Sequence, residues 1–184
     1  MIEAIVFDLD GTLVDSDRAL DDAWRACGVA DEDITHGHVL VDECARHGIS
    51  VDAYLAAYDP TKVEPFDGVT ALLERLDLRW AVCSNKRGEV GPRELDALGW
   101  TPEVAMFEDA FGGPKHLGPV LDALALDSSQ VLFVGDTDHD EIVASDAGCV
   151  FVWAGWNPRV APEPGNLVAA RPTDVLLIAD QLLG

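Results

Sequence analysis

Short runs of β-branched and aromatic residues recur along this chain, each followed by a stretch whose apolar residues return at helical spacing. EAIVF (residues 3–7), RWAVCS (79–84), VLFVGD (131–136) and CVFVWAG (149–155) each read as a buried strand. VAMFEDAFG (104–112) reads as a shorter strand and a loop. Strands that alternate with single helices cannot pair as hairpins. The pattern predicts an α/β fold, a doubly wound, Rossmann-like parallel sheet with helices on both faces.

One interval breaks the alternation. Ser16 can cap a helix running to Gly28, with Ala19, Leu20, Ala23, Trp24 and Cys27 on one face. A second helix is expected over Thr35–His47, stopped by Gly48, and a third after Ser50 with Val51, Tyr54, Leu55 and Tyr58 on one side. DPTKVEPF (59–66) then reads as a return hinge because of its two prolines. The expected organisation is a core of residues 1–16 and 63–184 carrying a small α-helical cap, 17–62. Further helices are expected over Gly68–Leu76, Glu89–Leu98 with Pro92 in its first turn, His116–Leu126 and Asp138–Ala147, and a last one capped near Thr173.

Composition narrows the class of function. Of 184 residues 48% are hydrophobic, enough for a real core, and no apolar run approaches the roughly 20 residues of a membrane span. No leader pattern follows Met1. The widely spaced Cys27, Cys44, Cys83 and Cys149 form no CxxC pair and read as reduced core thiols, which fits a cytoplasmic protein. Thirty-four acids against 12 bases give a formal charge of −22. Such a surface repels nucleic acid and anionic membranes, whose recognition depends on cations. It fits an ordinary acidic protein, or one adapted to high salt, where the Debye length shrinks to about 3 Å at 1 M. A monomer or weak homodimer is expected.

The strand ends carry the chemistry. The first gives Asp8 and Asp10, the second Ser84 and Asn85, and VLFVGD gives Asp136, with Asp140 a helical turn further on. Lys115 follows GGP just before a helix. In a doubly wound sheet all of these fall at the carboxyl ends of the strands, where such folds build their sites. Converging carboxylates repel unless a cation lies between them, and an oxygen-only donor set suits Mg²⁺, which also suits phosphate substrates. A metal-neutralised aspartate can attack phosphorus, and a second acid can move protons.

DLDGT at Asp8–Thr12, Ser84 after a strand, Lys115, and GDTDHD at Gly135–Asp140 resemble, in order, the four motifs of the haloacid dehalogenase superfamily. The likeness is to its phosphoglycolate-phosphatase-like branch and spans nearly the whole chain. It implies Asp8 as nucleophile and metal ligand, and Asp10 as general acid/base that ligates metal through its carbonyl. It further implies Ser84, Lys115 and the amides of Leu9 and Asn85 as phosphoryl binders. Asp136 would ligate the metal directly, and Asp140 would support the metal through water or from behind its ligands. Gly11 would release the strand into the turn before the cap. Two features depart from the pattern: His116 follows the lysine where proline is common, with Pro119 close by, and the cap is short.

The expected activity is Mg²⁺-dependent hydrolysis of a small-molecule phosphate monoester through an aspartyl-phosphate. Phosphotransfer within a sugar phosphate is the alternative within the superfamily, and a non-catalytic metal- or phosphate-binding module the alternative outside it. Asp10 argues against dehalogenation, since the family's dehalogenases lack that acid. His36 and His38 lie two apart and do not share a helix face, so a zinc pair is not expected. Trp24, Tyr54 and Tyr58 are read as cap packing, and Arg18, Arg25 and Arg46 as surface ion-pair formers.

Overall fold

The computed structural model describes residues 1–183. Its first strand, β1 (Ala4–Phe7), is buried along its whole length. Its side chains alternate: Ile5 and Phe7 enter one core cluster, Ala4 and Val6 the other. The same period of two divides β4 (Arg79–Cys83) and β6 (Val131–Gly135), whose Val82, Leu132 and Val134 face the first cluster while Ala81, Cys83, Val131 and Phe133 face the second. Fully burying a side chain such as Phe7 or Leu132 stabilises the fold by about 1.5–3 kcal/mol.

With β5 (Val104–Met106), β7 (Val150–Ala154) and β8 (Val168–Ala169) these strands make one parallel sheet in the order β5-β4-β1-β6-β7-β8. The first cluster is closed by α4 (Val69–Glu74), α5 (Gly91–Leu98) and α8 (Asp174–Leu183), the second by α6 (Gly118–Leu124) and α7 (Asp138–Ala147). The doubly wound parallel sheet expected from the alternation is present. Strand order reverses between β1 and β6, so the crevice of the fold opens at the ends of these two strands.

Between β1 and β4 lie α1 (Asp17–Ala26), α2 (Leu40–His47) and α3 (Val51–Ala57), which pack around their own cluster of Ala23, Trp24, Val29, Cys44 and Tyr54. Trp24 and Tyr54 meet with ring centroids 4.3 Å apart. The chain leaves and re-enters through a two-stranded antiparallel ribbon, β2 (Val14–Asp15) against β3 (Glu64–Pro65). Two residues per strand show no periodicity, so the local sequence does not announce this ribbon.

Helix limits differ from expectation where loops are pulled toward the crevice. The second helix starts at Leu40, not Thr35, because Gly37 is left-handed (φ +81°) and its carbonyl accepts a 2.9 Å hydrogen bond from Asn85 Nδ2. A residue in that conformation cannot continue an α-helix. The helix expected over His116–Leu126 runs Gly118–Leu124, with Pro119 in its first turn and left-handed Ala125 ending it. Ser16 does occupy the N-cap position of α1, but its hydroxyl is buried without a partner and makes no capping bond. Pro92 sits in the first turn of α5, as its missing N–H requires. All four cysteines are free, and among the described residues no helix is long and apolar enough to cross a membrane.

Candidate active site

Beyond β1 the Asp8 amide still bonds the Val134 carbonyl at 2.9 Å, so Asp8 stays in register with β6 and faces the reversal point. The chain then turns tightly, with the amides of Leu13 and Val14 both donating to the Leu9 carbonyl at 3.0 Å and Gly11 at φ +79°. A side chain at residue 11 would place its Cβ 2.3 Å from Asp136 Oδ2, so glycine is needed for space as well as for conformation.

Asp8, Asp136 and Asp140 are all buried, and each offers a carboxylate oxygen within 4.8 Å of the others. Lys115 Nζ lies 2.7 Å from Asp8 Oδ1 and 2.6 Å from Asp140 Oδ1. Asp140 works in two directions. Its Oδ2 accepts from the Asp136 and Thr137 amides and the Thr137 hydroxyl, capping α7, while its Oδ1 faces Lys115 and the other carboxylates.

Burial, opposed by Lys115 and reinforced by Asp140 and Asp10, pushes the Asp8 carboxyl up to about 7. Burial and the neighbouring Asp140 and Asp8 likewise raise Asp136 well above the usual carboxylate range. Burial works against the Lys115 ammonium, yet Asp140 and Asp8 outweigh it and hold the lysine firmly charged. When all three are ionised, the buried acids outnumber the facing Lys115 and Arg159. Hard oxygen donors with that excess could hold a divalent cation.

Asp10 stands apart from this cluster. Its Oδ1 lies 2.6 Å from Lys86 Nζ, and the same ammonium lies 2.7 Å from Glu94 Oε2. Ser84 and Asn85 follow β4 and are buried. The Asn85 side chain ties two loops together, accepting from the Lys115 amide at 2.8 Å and donating to Gly37. Leu9 is fully buried between the two acids. A cavity of about 110 Å³ opens between these residues and the helices α1–α3. The structure thus brings together Asp8, Asp136, Asp140, Lys115 and Ser84, with Asp10 at the rim.

Lys86 and Arg159 were not singled out by the sequence. Arg159 Nη2 lies 2.7 Å from Asp136 Oδ2, and its guanidinium also binds Asp17 of α1. Thr12 donates to Asp136 Oδ1 at 3.0 Å, and Asn157 Nδ2 to the Gly11 carbonyl at 2.8 Å. The signal for Asn157 and Arg159 was there: they follow β7 and so belong to the same set of strand ends.

Residues 41–154 match the family model described as haloacid dehalogenase-like hydrolase, a span holding Ser84, Lys115, Asp136 and Asp140. The chain belongs to the haloacid dehalogenase-like hydrolases. Curated relatives include a phosphoglycolate phosphatase of Mesorhizobium japonicum, 29% identical over 97% of this chain and 96% of that one. An N-acetylmuramic acid 6-phosphate phosphatase of Pseudomonas aeruginosa is 29% identical over 80% of this chain and 79% of that one. Among solved structures, a haloacid dehalogenase-like hydrolase of Streptococcus pneumoniae superposes with a TM-score of 0.77 at 22% identity, covering 97% of this chain and 98% of that one. A HAD-superfamily hydrolase, subfamily IA, of Geobacter sulfurreducens gives 0.76 at 21% identity, covering 97% and 100%. As a haloacid dehalogenase-like hydrolase, the chain has its acids where the reversal of strand order makes its crevice.

Proposed function

We propose that this chain is a Mg²⁺-dependent phosphatase that hydrolyses a small-molecule phosphate monoester through an aspartyl-phosphate on Asp8. The observation that carries the reading is the placement of Asp8: buried at the reversal point, 2.7 Å from Lys115, with Asp136 and Asp140 oxygens within 4.8 Å. Asp8, Asp136 and the Asp10 carbonyl would hold the ion, with Asp140 behind them. Bound there, the ion would offset the carboxylates' repulsion and neutralise charge on the phosphoryl oxygens.

Asp8 attacks phosphorus while the ester P–O bond breaks, and Asp10 delivers its proton to the departing alcohol. Asp10 then takes a proton from the water that attacks the aspartyl-phosphate, releasing phosphate and restoring Asp8. Lys115, the Ser84 hydroxyl and the amides of Leu9 and Asn85 hold the phosphoryl oxygens. Residues 17–62 act as a cap on the core of 1–16 and 63–184, a division supported by the separate cap cluster and by the ribbon through which the chain leaves and returns. Names of the relatives support phosphate-ester hydrolysis as the reaction.

The test is turnover of p-nitrophenyl phosphate by the wild type with Mg²⁺, with EDTA, and by Asp8→Asn. Turnover is expected to need the ion and to fall by at least about 10³-fold in the variant. Undiminished turnover in Asp8→Asn overturns the covalent route. Phosphate appearing on a second sugar phosphate rather than in water would assign phosphotransfer instead.

A further inference from the structure

The cavity's wall on the cap side is built mostly of hydrocarbon. Leu20, Trp24, Leu40, Tyr54 and Leu55 line it, together with the ionisable side chains of Asp17, His36, His38 and Glu43. The cations of the lining, His38 excepted, are already matched. Lys86 is shared between Asp10 and Glu94 and is only 6% exposed. Arg87 pairs with Glu89 and faces Glu108, Arg159 with Asp17 and Asp136, and Lys115 with Asp8 and Asp140. His36 lies 3.7 Å and 3.5 Å from Asp17 and Asp21. His38 is the remaining basic side chain of the lining. Arg25 and Arg46, which could have reached inward, are engaged with Asp21, Asp22 and Asp31 and with Glu43.

A substrate carboxylate brought into this space would lose its hydration and find no basic side chain free of an acid partner except His38, while Glu43, already bound by Arg46, adds no attraction. An uncharged alcohol would instead bury apolar surface against the leucines and aromatic rings. We infer that the cavity selects phosphate monoesters of uncharged alcohols with an apolar face and turns away alcohols that carry a carboxylate. This rests on the phosphatase reading above and sets the substrate class of the chain apart from the name of its phosphoglycolate-phosphatase relatives.

The experiment compares isobutyl phosphate with 2-phosphoglycolate, which are close in size and differ in the carboxylate, using the full chain with Mg²⁺. Isobutyl phosphate is expected to have a kcat/KM at least about tenfold higher, a discrimination within what an unmatched charge imposes. In Glu43→Gln, checked for folding by circular dichroism, the preference is expected to narrow by several-fold as Arg46 loses its acid partner. Equal or higher kcat/KM for 2-phosphoglycolate in the wild type overturns the inference while leaving the phosphatase reading intact. The ranking is also read without turnover, from the rise in Tm each ester gives Mg²⁺-loaded Asp8→Asn. Absence of hydrolysis with a larger Tm rise from isobutyl phosphate removes the phosphatase reading and keeps the selectivity. An equal or larger rise from 2-phosphoglycolate overturns the selectivity.

Discussion

Lys86 Nζ lies 2.6 Å from Asp10 Oδ1, with only 6% of the lysine side chain exposed. The same ammonium holds Glu94 of α5, which in turn accepts the Tyr58 hydroxyl at 3.1 Å. The acid proposed to move protons is thus fixed from the core, in a network that reaches the segment returning from the cap helices. Lys86→Met strands two carboxylates beside an apolar chain. It is expected to destabilise the fold by about 3–5 kcal/mol, the usual result of removing one partner of a buried pair. In the fraction still folded, kcat is expected to fall by about tenfold or more with KM little changed, because Asp10 loses its orientation. Urea unfolding and steady-state kinetics measure the two effects, and an unaltered kcat would remove Lys86 from the positioning of Asp10.

Gly11→Ala tests the closeness of the turn to Asp136. Its Cβ would lie 2.3 Å from Asp136 Oδ2 in a left-handed residue, whereas at Gly48 (φ +67°) an added Cβ would meet nothing within 4 Å. Both alanines carry the left-handed penalty of about 1–2 kcal/mol. Only Gly11→Ala is expected to lose more than this and to weaken Mg²⁺ binding, as read by Tm against added Mg²⁺.

Arg159 neutralises part of Asp136 from 2.7 Å. Arg159→Ala removes a positive charge beside the proposed ion and should tighten Mg²⁺ binding by about three- to tenfold, the scale of one screened charge at this range. Isothermal titration calorimetry gives the answer. Weaker binding in the variant would mean that Arg159 orients Asp136 more than it opposes the ion.

The Asp8 carboxyl sits at about 7 in the folded chain against 3.8 as its ordinary value. Between those values the native state binds more protons than the unfolded state, so Asp8 lowers the stability of the metal-free protein as pH rises from about 4 to 7. Mg²⁺ relieves that strain where the carboxylates are ionised. The gain in Tm on replacing EDTA with Mg²⁺ is therefore expected to be larger near pH 7.5 than near pH 5.5, and an equal gain at both would contradict this account.

A formal charge of −22 on 184 residues repels itself at low ionic strength. We expect Tm to rise with KCl between about 0.1 and 1 M, where the Debye length falls from roughly 10 Å to 3 Å. A Tm that falls across that range, with activity best at low salt, would count against adaptation to high salt.

Much of this was legible in the chain. The strands β1, β4, β6 and β7 announce themselves as β-branched runs, and α7 begins at Asp138 and ends at Ala147 as its spacing predicts. Asp8, Asp10, Ser84 and Asp136 could be picked out because a parallel sheet delivers the residues after each strand to one edge, and Lys115 by its place just before a helix. Helix ends were less legible. The start of α2 is decided by a hydrogen bond from Asn85 to Gly37, a contact between residues far apart in sequence.

What the sequence determined by itself was therefore periodic and local: which segments are strands, which are helices, and which polar residues stand at strand ends. Those follow from where apolar side chains repeat. The tertiary structure decided the pairings. It placed Lys86 against Asp10 and Glu94, turned Arg159 back onto Asp136, gave one oxygen of Asp140 to the cap of α7 and the other to the carboxylate cluster, and set Glu43 among the hydrocarbon of the cap wall. Charge partners are selected by distance after folding, and distance between remote residues is not written in the local pattern of the chain.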